Sequence, residues 1–237
     1  TKASLEPAKA GIPVAVMPMP MSGVSGPVTL AGTLVEDNAE FLCGLVIVEF
    51  AGPGAPVVYS GACGTVNFRT GLETSSAETM LLNAGLTQLA HLYDLPSESR
   101  GMRSASKLMD AQAGYEMAIA LIPHLLSGPD IVLGLGGLEG VRINSPVAMV
   151  IENEIIDYAL RYIQGIEVND ETLALDVIHS VGPRGNYLGE RHTLEHFRER
   201  WKSRIADISS FEAWEAEGVK SLDAVAKEKV RGDPGHP

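Results

Sequence analysis

The sequence predicts an α/β protein of the TIM (β/α)8-barrel type, with about four strand–helix units in this chain. Short apolar runs alternate with longer segments of helical periodicity, the pattern of a parallel sheet covered by helices. The loops after the strands are long and glycine-rich and those after the helices are short, an asymmetry that suits a barrel whose active face is built from βα loops. A doubly wound sheet shares the alternation and is the other architecture the pattern admits.

The first strand is the apolar run Ile12 to Met17, ended by Pro18 and Pro20; a helix follows the loop Ser22–Pro27, from about Thr29 to Val48. The second strand is Pro56 to Tyr59, set off by the turn Gly52-Pro53-Gly54. Behind its long loop, Ser75 and Glu78 have the spacing of a capping box, and Leu82, Leu86, Leu89 and Tyr93 recur at helical spacing. The third strand is placed around Ser97 to Gly101. Asp110 caps the next helix, whose expected apolar face is Tyr115, Ile119, Ile122 and Leu126, and Gly128-Pro129 stops it. The fourth strand is Ile131 to Leu135. Ser145-Pro146 opens a helix with proline at its first position, with Val147, Ile151, Ile155, Tyr158 and Tyr162 as the expected buried stripe and Gly165 at its end.

From about Ile166 the strands disappear and charge rises. Residues 1–165 are therefore assigned to the βα half of a barrel and 166–237 to a helical segment. Its expected helices are Asp170–Ser180, Thr193–Ile205 and a Glu/Lys-rich end, with Gly232–Pro237 frayed. The chain opens Thr1-Lys2-Ala3-Ser4 without an initiator methionine or a secretory signal, as a fragment of a longer chain would.

With 237 residues, 45% hydrophobic and 20% charged, the chain can bury an ample core. Its longest apolar stretch, Phe41 to Phe50, falls short of the ~20 residues a membrane helix needs. A net charge of −12 repels a phosphate backbone, which argues against nucleic acid as partner, and it favours cationic ligands. Cys43 and Cys63 make no CxxC pair and no disulfide framework, so a reducing, cytoplasmic setting is expected.

Several short patterns bear on chemistry. Gly134 to Gly140 follows a strand, but Glu139 stands where a dinucleotide fingerprint needs glycine, so the segment reads as a tight strand-end loop that projects Glu139. His192-Thr193-Leu194-Glu195-His196 matches the inverted zincin pattern; the favoured reading is structural, with His192 at a helix start and Glu195 and His196 on a solvated face, because five-residue patterns match often by chance. Asp176 to Gly182 differs by one residue from the corrinoid-binding D-x-H-x-x-G, so no cobamide is expected to be held by this chain. Cys63 reads as a small packed residue. Gln112 and Glu116 share one helical face at the helix opening capped by Asp110. Tyr59 ends the second strand, Asp110 follows the third and Glu139 the fourth, so in a barrel they share the C-terminal face. Arg103 and Arg142 are the internal partners available to a carboxylate there.

In order along the chain stand Pro18-Met19-Pro20 with Gly26 to Gly32, Asn38-Ala39-Glu40, Pro53 to Tyr59, Asp110 to Glu116, Leu138-Glu139-Gly140, Glu152-Asn153-Glu154-Ile155, and Gly182 to Leu188 followed by His192-Thr193. On these blocks the chain resembles the C-terminal half of the trimethylamine methyltransferase family and its glycine-betaine relatives. The resemblance implies a cytoplasmic barrel that passes a methyl group from a small methylated amine to the Co(I) of a separate corrinoid protein, with the cobamide on that partner and no metal in the barrel site. The founding enzymes carry pyrrolysine, absent here; the equivalent region is Arg100 to Lys107, and its lack points to quaternary amines. Carboxylates and aromatic faces stabilise such a cation, so the substrate-binding candidates are Tyr59, Asp110, Gln112, Tyr115 and Glu139. Half a barrel leaves open sheet edges, from which a homo-oligomer or contact with the other half is expected. The rival classes are a zinc hydrolase using His192, Glu195 and His196, and a non-catalytic betaine-binding module.

Overall fold

The computed structural model describes residues 2–232. The chain runs α1 (Lys2–Lys9), β1 (Val14–Val16), β2 (Met21–Ser22), α2 (Leu30–Ala51), β3 (Val57–Gly61), β4 (Gly64–Val66), β5 (Glu73–Thr74), α3 (Ala77–Leu92), β6 (Ser97–Arg100) and α4 (Ala111–Leu126). It continues through β7 (Ile131–Leu133), β8 (Gly137–Leu138), β9 (Ile143–Asn144) and α5 (Pro146–Ile163) to the short helices α6 (Asp170–Leu173), α7 (Leu175–Val181), α8 (Arg191–His196), α9 (Phe211–Ala216) and α10 (Leu222–Val230).

β1, β3, β6 and β7 form one parallel sheet in that order, each followed by one of the long helices α2 to α5. Val14 lies opposite Val57, Tyr59 opposite Ser97 and Glu98 opposite Ile131. Alternate side chains on a strand point to opposite faces. Val14, Val57 and Tyr59 pack with Phe41 of α2 and Leu82 and Leu86 of α3. The other face carries Ala15, Ser60, Glu98, Arg100, Ile131 and Leu133, and its apolar members are exposed. The architecture is thus a mixed α/β unit with a parallel sheet, as expected.

The helix starts follow from capping chemistry. The side chains of Asp110 and Ser145 accept from the N–H groups of Ala113 and Ala148 at 3.0 and 3.2 Å. The expected Ser75–Glu78 box is displaced by one residue: Ser76 caps α3 through Thr79, because the Ser75 hydroxyl donates to the Arg103 carbonyl at 2.9 Å.

Two expected helix faces are corrected. α4 buries Ala113, Glu116, Met117, Leu121 and His124 and leaves Tyr115, Ile119 and Leu126 exposed. α5 buries Ala148, Ile151, Glu152, Glu154 and Ala159 and exposes Tyr158 and Tyr162. Of the expected stripes, Ile122 of α4 and Val147, Ile151 and Ile155 of α5 do pack against the core, but both helices also bury small and polar side chains, which turns the expected tyrosines, Ile119 and Leu126 outward. Helices apolar on both sides belong to surfaces covered in a larger assembly.

Beyond residue 166 the expected helix Asp170–Ser180 is broken at Ala174, which adopts a left-handed φ of 49°. The expected helix Thr193–Ile205 is only α8. Its continuation is non-helical because the Ser203 hydroxyl accepts from the N–H of Ile205 and Ala206, and the Glu154 carboxylate accepts from that of Arg204 at 3.0 Å. Ile205 and Ala226 then pack on Ile151, returning α10 to α5. No helix among the described residues is long and apolar enough to cross a membrane. Residues 233–237, within the segment expected to fray, lie outside the described residues.

Candidate functional site

The segments between each strand and its helix carry a second layer of structure at the C-terminal ends of the sheet. Met21 of β2 pairs with Gly64 of β4, and Thr65 with Thr74 of β5, joining the loops after β1 and β3. β8 and β9 form a hairpin after β7. Two fastenings lock these loops together. The buried guanidinium of Arg103, just beyond β6, makes an ion pair with Glu73 of β5. A Cβ on Gly64 would stand 2.8 Å from a Glu73 carboxylate oxygen, so any larger residue there would have to shift the Glu73 side chain of that pair. The second fastening is backbone: Ser104 N–H donates to Gly137 O at 3.0 Å, Glu139 N–H to Ser106 O at 2.8 Å and Gly140 N–H to Ser104 O at 3.0 Å.

The same loop is braced from below by Glu116. One carboxylate oxygen accepts from the Ser104 hydroxyl at 2.5 Å and the Ala105 N–H at 2.8 Å, and the other from the Gln112 amide at 2.9 Å. Glu152, fully buried on α5, accepts from the N–H of Gly136 and keeps its second oxygen unpartnered. Burial raises its carboxyl to about 7, against the lowering effect of the Gly136 bond.

The proposed ligands fall into three groups. Glu139 lies at the tip of the β8–β9 hairpin, partly exposed and with φ 48°; its backbone is fixed, and no ion pair to Arg142 or Arg103 ties its carboxylate among the described residues. Asp110 and Gln112 are at the strand ends but engaged: Asp110 caps α4 and accepts from Ser106 at 3.0 Å, and Gln112 supports Glu116. These hydrogen bonds from backbone and Ser106 hold Asp110 below its ordinary pKa. Tyr59 is corrected. Tyr59 faces the helices, packed at 3.9 Å between ring centroids on Phe41, with its hydroxyl 3.2 Å from Asn38 Oδ1. It occupies a strand position whose side chain points into the helical layer rather than to the opposite face. Tyr115 stands on the exposed side of α4.

Cys63 is fully buried, and burial followed by the charge of Asp37 pushes its thiol well above the usual range, which suits packing rather than nucleophilic attack. His192 and His196 face each other on α8, as helical spacing requires, with centroids 4.4 Å apart. Arg191 lies 2.6 Å from Glu195 and Glu199 2.9 Å from His196. Among the described residues no group of three or more His, Cys, Asp or Glu is placed to hold a metal ion. Asp176 and His179 lie on α7, in the segment after the sheet.

Sequence reasoning passed over Glu73, Arg100 and Glu152 as site residues. Glu152 had a local signal, two glutamates flanking Asn153 on an otherwise apolar helix; Glu73 had none, because pairing across loops brings it to the strand ends, and Arg100 stands there as the last residue of β6, a strand without apolar residues.

A parallel α/β unit with its polar fastenings, its glycine loops and a free carboxylate all at the strand ends is a ligand-site arrangement of the α/β class. The family comparison is specific. Residues 1–232 match the family described as trimethylamine methyltransferase (MTTB), and the chain belongs to that family. It is 38% identical over 228 residues, 95% of this chain and 46% of the relative, to a trimethylamine methyltransferase of Desulfitobacterium hafniense (strain DSM 10664 / DCB-2). A trimethylamine methyltransferase of Methanosarcina thermophila is 38% identical over 224 residues, covering 94% of this chain and 46% of the relative. A glycine betaine methyltransferase of Desulfitobacterium hafniense (strain Y51) is 36% identical over 217 residues, 90% of this chain and 45% of the relative. The chain spans about half the length of the curated relatives it matches.

Proposed function

We propose that the full-length protein transfers a methyl group from a small quaternary amine to the Co(I) of a separate corrinoid protein in the cytoplasm. The described sheet would be half of a closed (β/α)8 barrel. The observation that carries the proposal is the family match across residues 1–232, together with a strand-end layer in which the Glu139 carboxylate has no ion-pair partner among the described residues.

The chemistry asks little acid–base work of the barrel. A quaternary ammonium leaves as a neutral tertiary amine when it loses a methyl cation, so no proton has to be delivered. The corrinoid protein's cobamide supplies the nucleophile. This chain's residues hold, desolvate and orient the amine. Glu139 stabilises the cation, the Ser104–Gly137 and Ser106–Glu139 bonds keep that carboxylate in place, and Glu152 holds the loop below it. Asp110 and Gln112 act through the loop rather than on the ligand.

The test is optical. Full-length protein is mixed with a Co(I) corrinoid protein, and quaternary amines are added singly. Methyl transfer removes the Co(I) absorption and yields one tertiary amine per methylated cobalt. Binding of an amine without any loss of Co(I) would favour the non-catalytic binding module instead.

A further inference from the structure

We infer that Met17 and Met19 form a peroxide-oxidisable site whose sulfoxide oxygens, once formed, are bound by the guanidinium of Arg100, shutting the strand ends to an incoming amine. The inference rests on the proposed methyl transfer for what is shut off, and adds a modification site that controls it. The two residues belong to the run Met17-Pro18-Met19-Pro20-Met21, directly after β1. Each precedes a proline, which holds it extended. Both are exposed, at 39% and 56%. Both sulfurs meet one atom, Nη2 of Arg100, at 3.9 and 4.0 Å. Arg100 is the last residue of β6, and β3 lies between β1 and β6 in the sheet. Its side chain therefore spans the end of β3, where Ser60 and Gly61 are small enough to be crossed.

A thioether is a weak acceptor, whereas a guanidinium carries five N–H donors. Among the described residues the Arg100 guanidinium makes these two sulfur contacts and no ion pair. In the oxidation a sulfur lone pair attacks one oxygen of hydrogen peroxide. An S–O bond forms as the O–O bond breaks, and the departing hydroxide takes the proton of the transferred oxygen and leaves as water. Sulfur is oxidised by two electrons and the peroxide is reduced. The product is a polar sulfoxide, formed beside a guanidinium already in contact with the sulfur. The weak N–H···S contact then becomes a charge-assisted N–H···O bond. Two apolar thioethers at the strand ends are replaced by two polar oxygens tied to β6, which opposes desolvation of the amine. Peroxide also destroys Co(I), so the site closes under the conditions in which the methyl acceptor is lost.

The experiment treats the full-length protein with graded hydrogen peroxide, removes the oxidant, and weighs the methionine peptides by mass spectrometry. Met17 and Met19 are expected to gain one oxygen each ahead of Met102 and Met117, which are fully buried. Amine binding by calorimetry, and methyl transfer to fresh Co(I) corrinoid protein, should fall at least ~10-fold in step with that gain. Both should return after treatment with methionine sulfoxide reductases. A protein carrying Met17→Leu and Met19→Leu should keep its own activity through the same treatment, although Met149, 44% exposed, is oxidised in it as before. In Arg100→Leu the two sulfoxides should form with little further loss from that variant's starting level. Three results would overturn the inference: Met17 and Met19 unoxidised when Met102 has reacted, an equal loss in the double-leucine protein, or an undiminished loss in Arg100→Leu. Amine binding that responds to peroxide as described, without methyl transfer before or after, upholds the inference and refutes the proposed reaction. Methyl transfer indifferent to oxidation of Met17 and Met19 does the reverse.

Discussion

The backbone N–H of Gly136 donates to the buried carboxylate of Glu152, so helix α5 grips the loop that leads into the Glu139 hairpin. Removing the acceptor leaves Gly136 with an unpaired donor. Glu152→Ala is expected to cost about 1–3 kcal/mol of stability and to weaken amine binding by loosening the hairpin, whereas Glu152→Gln keeps an acceptor and costs less. Denaturant melts of both variants check this; equal, negligible losses would show that the bond does not hold the loop.

Two carboxyls make stability pH-dependent in the same sense. Burial, and for Asp37 also the charge of Glu40, raises Asp37 and Glu152 to about 7 in the folded protein, from ordinary values of 3.8 and 4.5. Between those limits the folded state holds more protons than the unfolded one, so this contribution is largest below pH 4 and is lost as pH rises through 7. Asp37→Asn removes one of the two titrations and should raise stability at pH 8 relative to pH 5. Denaturation midpoints from pH 4 to 8 provide the check; an unchanged profile would place an unrecognised partner on Asp37.

Tyr59 is a packing residue in the helical layer. Tyr59→Ala should cost about 3–5 kcal/mol, as large core truncations do. Tyr59→Phe removes only the bond to Asn38, costs about 1 kcal/mol, and leaves amine affinity unaltered. A selective loss of amine binding in Tyr59→Phe would return Tyr59 to the site.

Asp110 does its work as a helix cap. Asp110→Ala should lower stability by about 1 kcal/mol, with Asp110→Asn milder because it keeps an acceptor for Ala113. A large drop in amine affinity with stability unchanged would instead give Asp110 a ligand role.

Much of the fold is legible in the sequence where one local signal decides. Three of the four sheet strands, β1, β3 and β7, fall on short apolar runs, whereas β6 reads Ser97-Glu98-Ser99-Arg100 and is placed by the Pro96 that ends the preceding helical segment; Asp110, Ser145 and Gly128 mark helix ends as their chemistry requires. What is illegible depends on partners distant in sequence. The buried faces of α4 and α5 mix Met117, Leu121 and Ile151 with alanines and with Glu116 and Glu152, and the burial of those two glutamates is intelligible only once Ser104 and Gly136 are seen against them. The site divides in the same way. Glu139 is visible as the acidic residue in a glycine loop, but the Arg103–Glu73 pair is created by the meeting of two loops. Tyr59 was misplaced because its position at a strand end is fixed by the sequence run, while the face it presents depends on the pleat.

The central claim is methyl transfer to cobalt, and isotope labelling tests it most directly. Full-length protein, a Co(I) corrinoid protein and a quaternary amine with trideuterated methyl groups are combined, and the corrinoid and amine are analysed by mass spectrometry. The account predicts one trideuteromethyl group on cobalt for each tertiary amine formed, and none when the full-length protein is omitted. Quaternary amine recovered intact, with the corrinoid unlabelled across the amines tried, would contradict it.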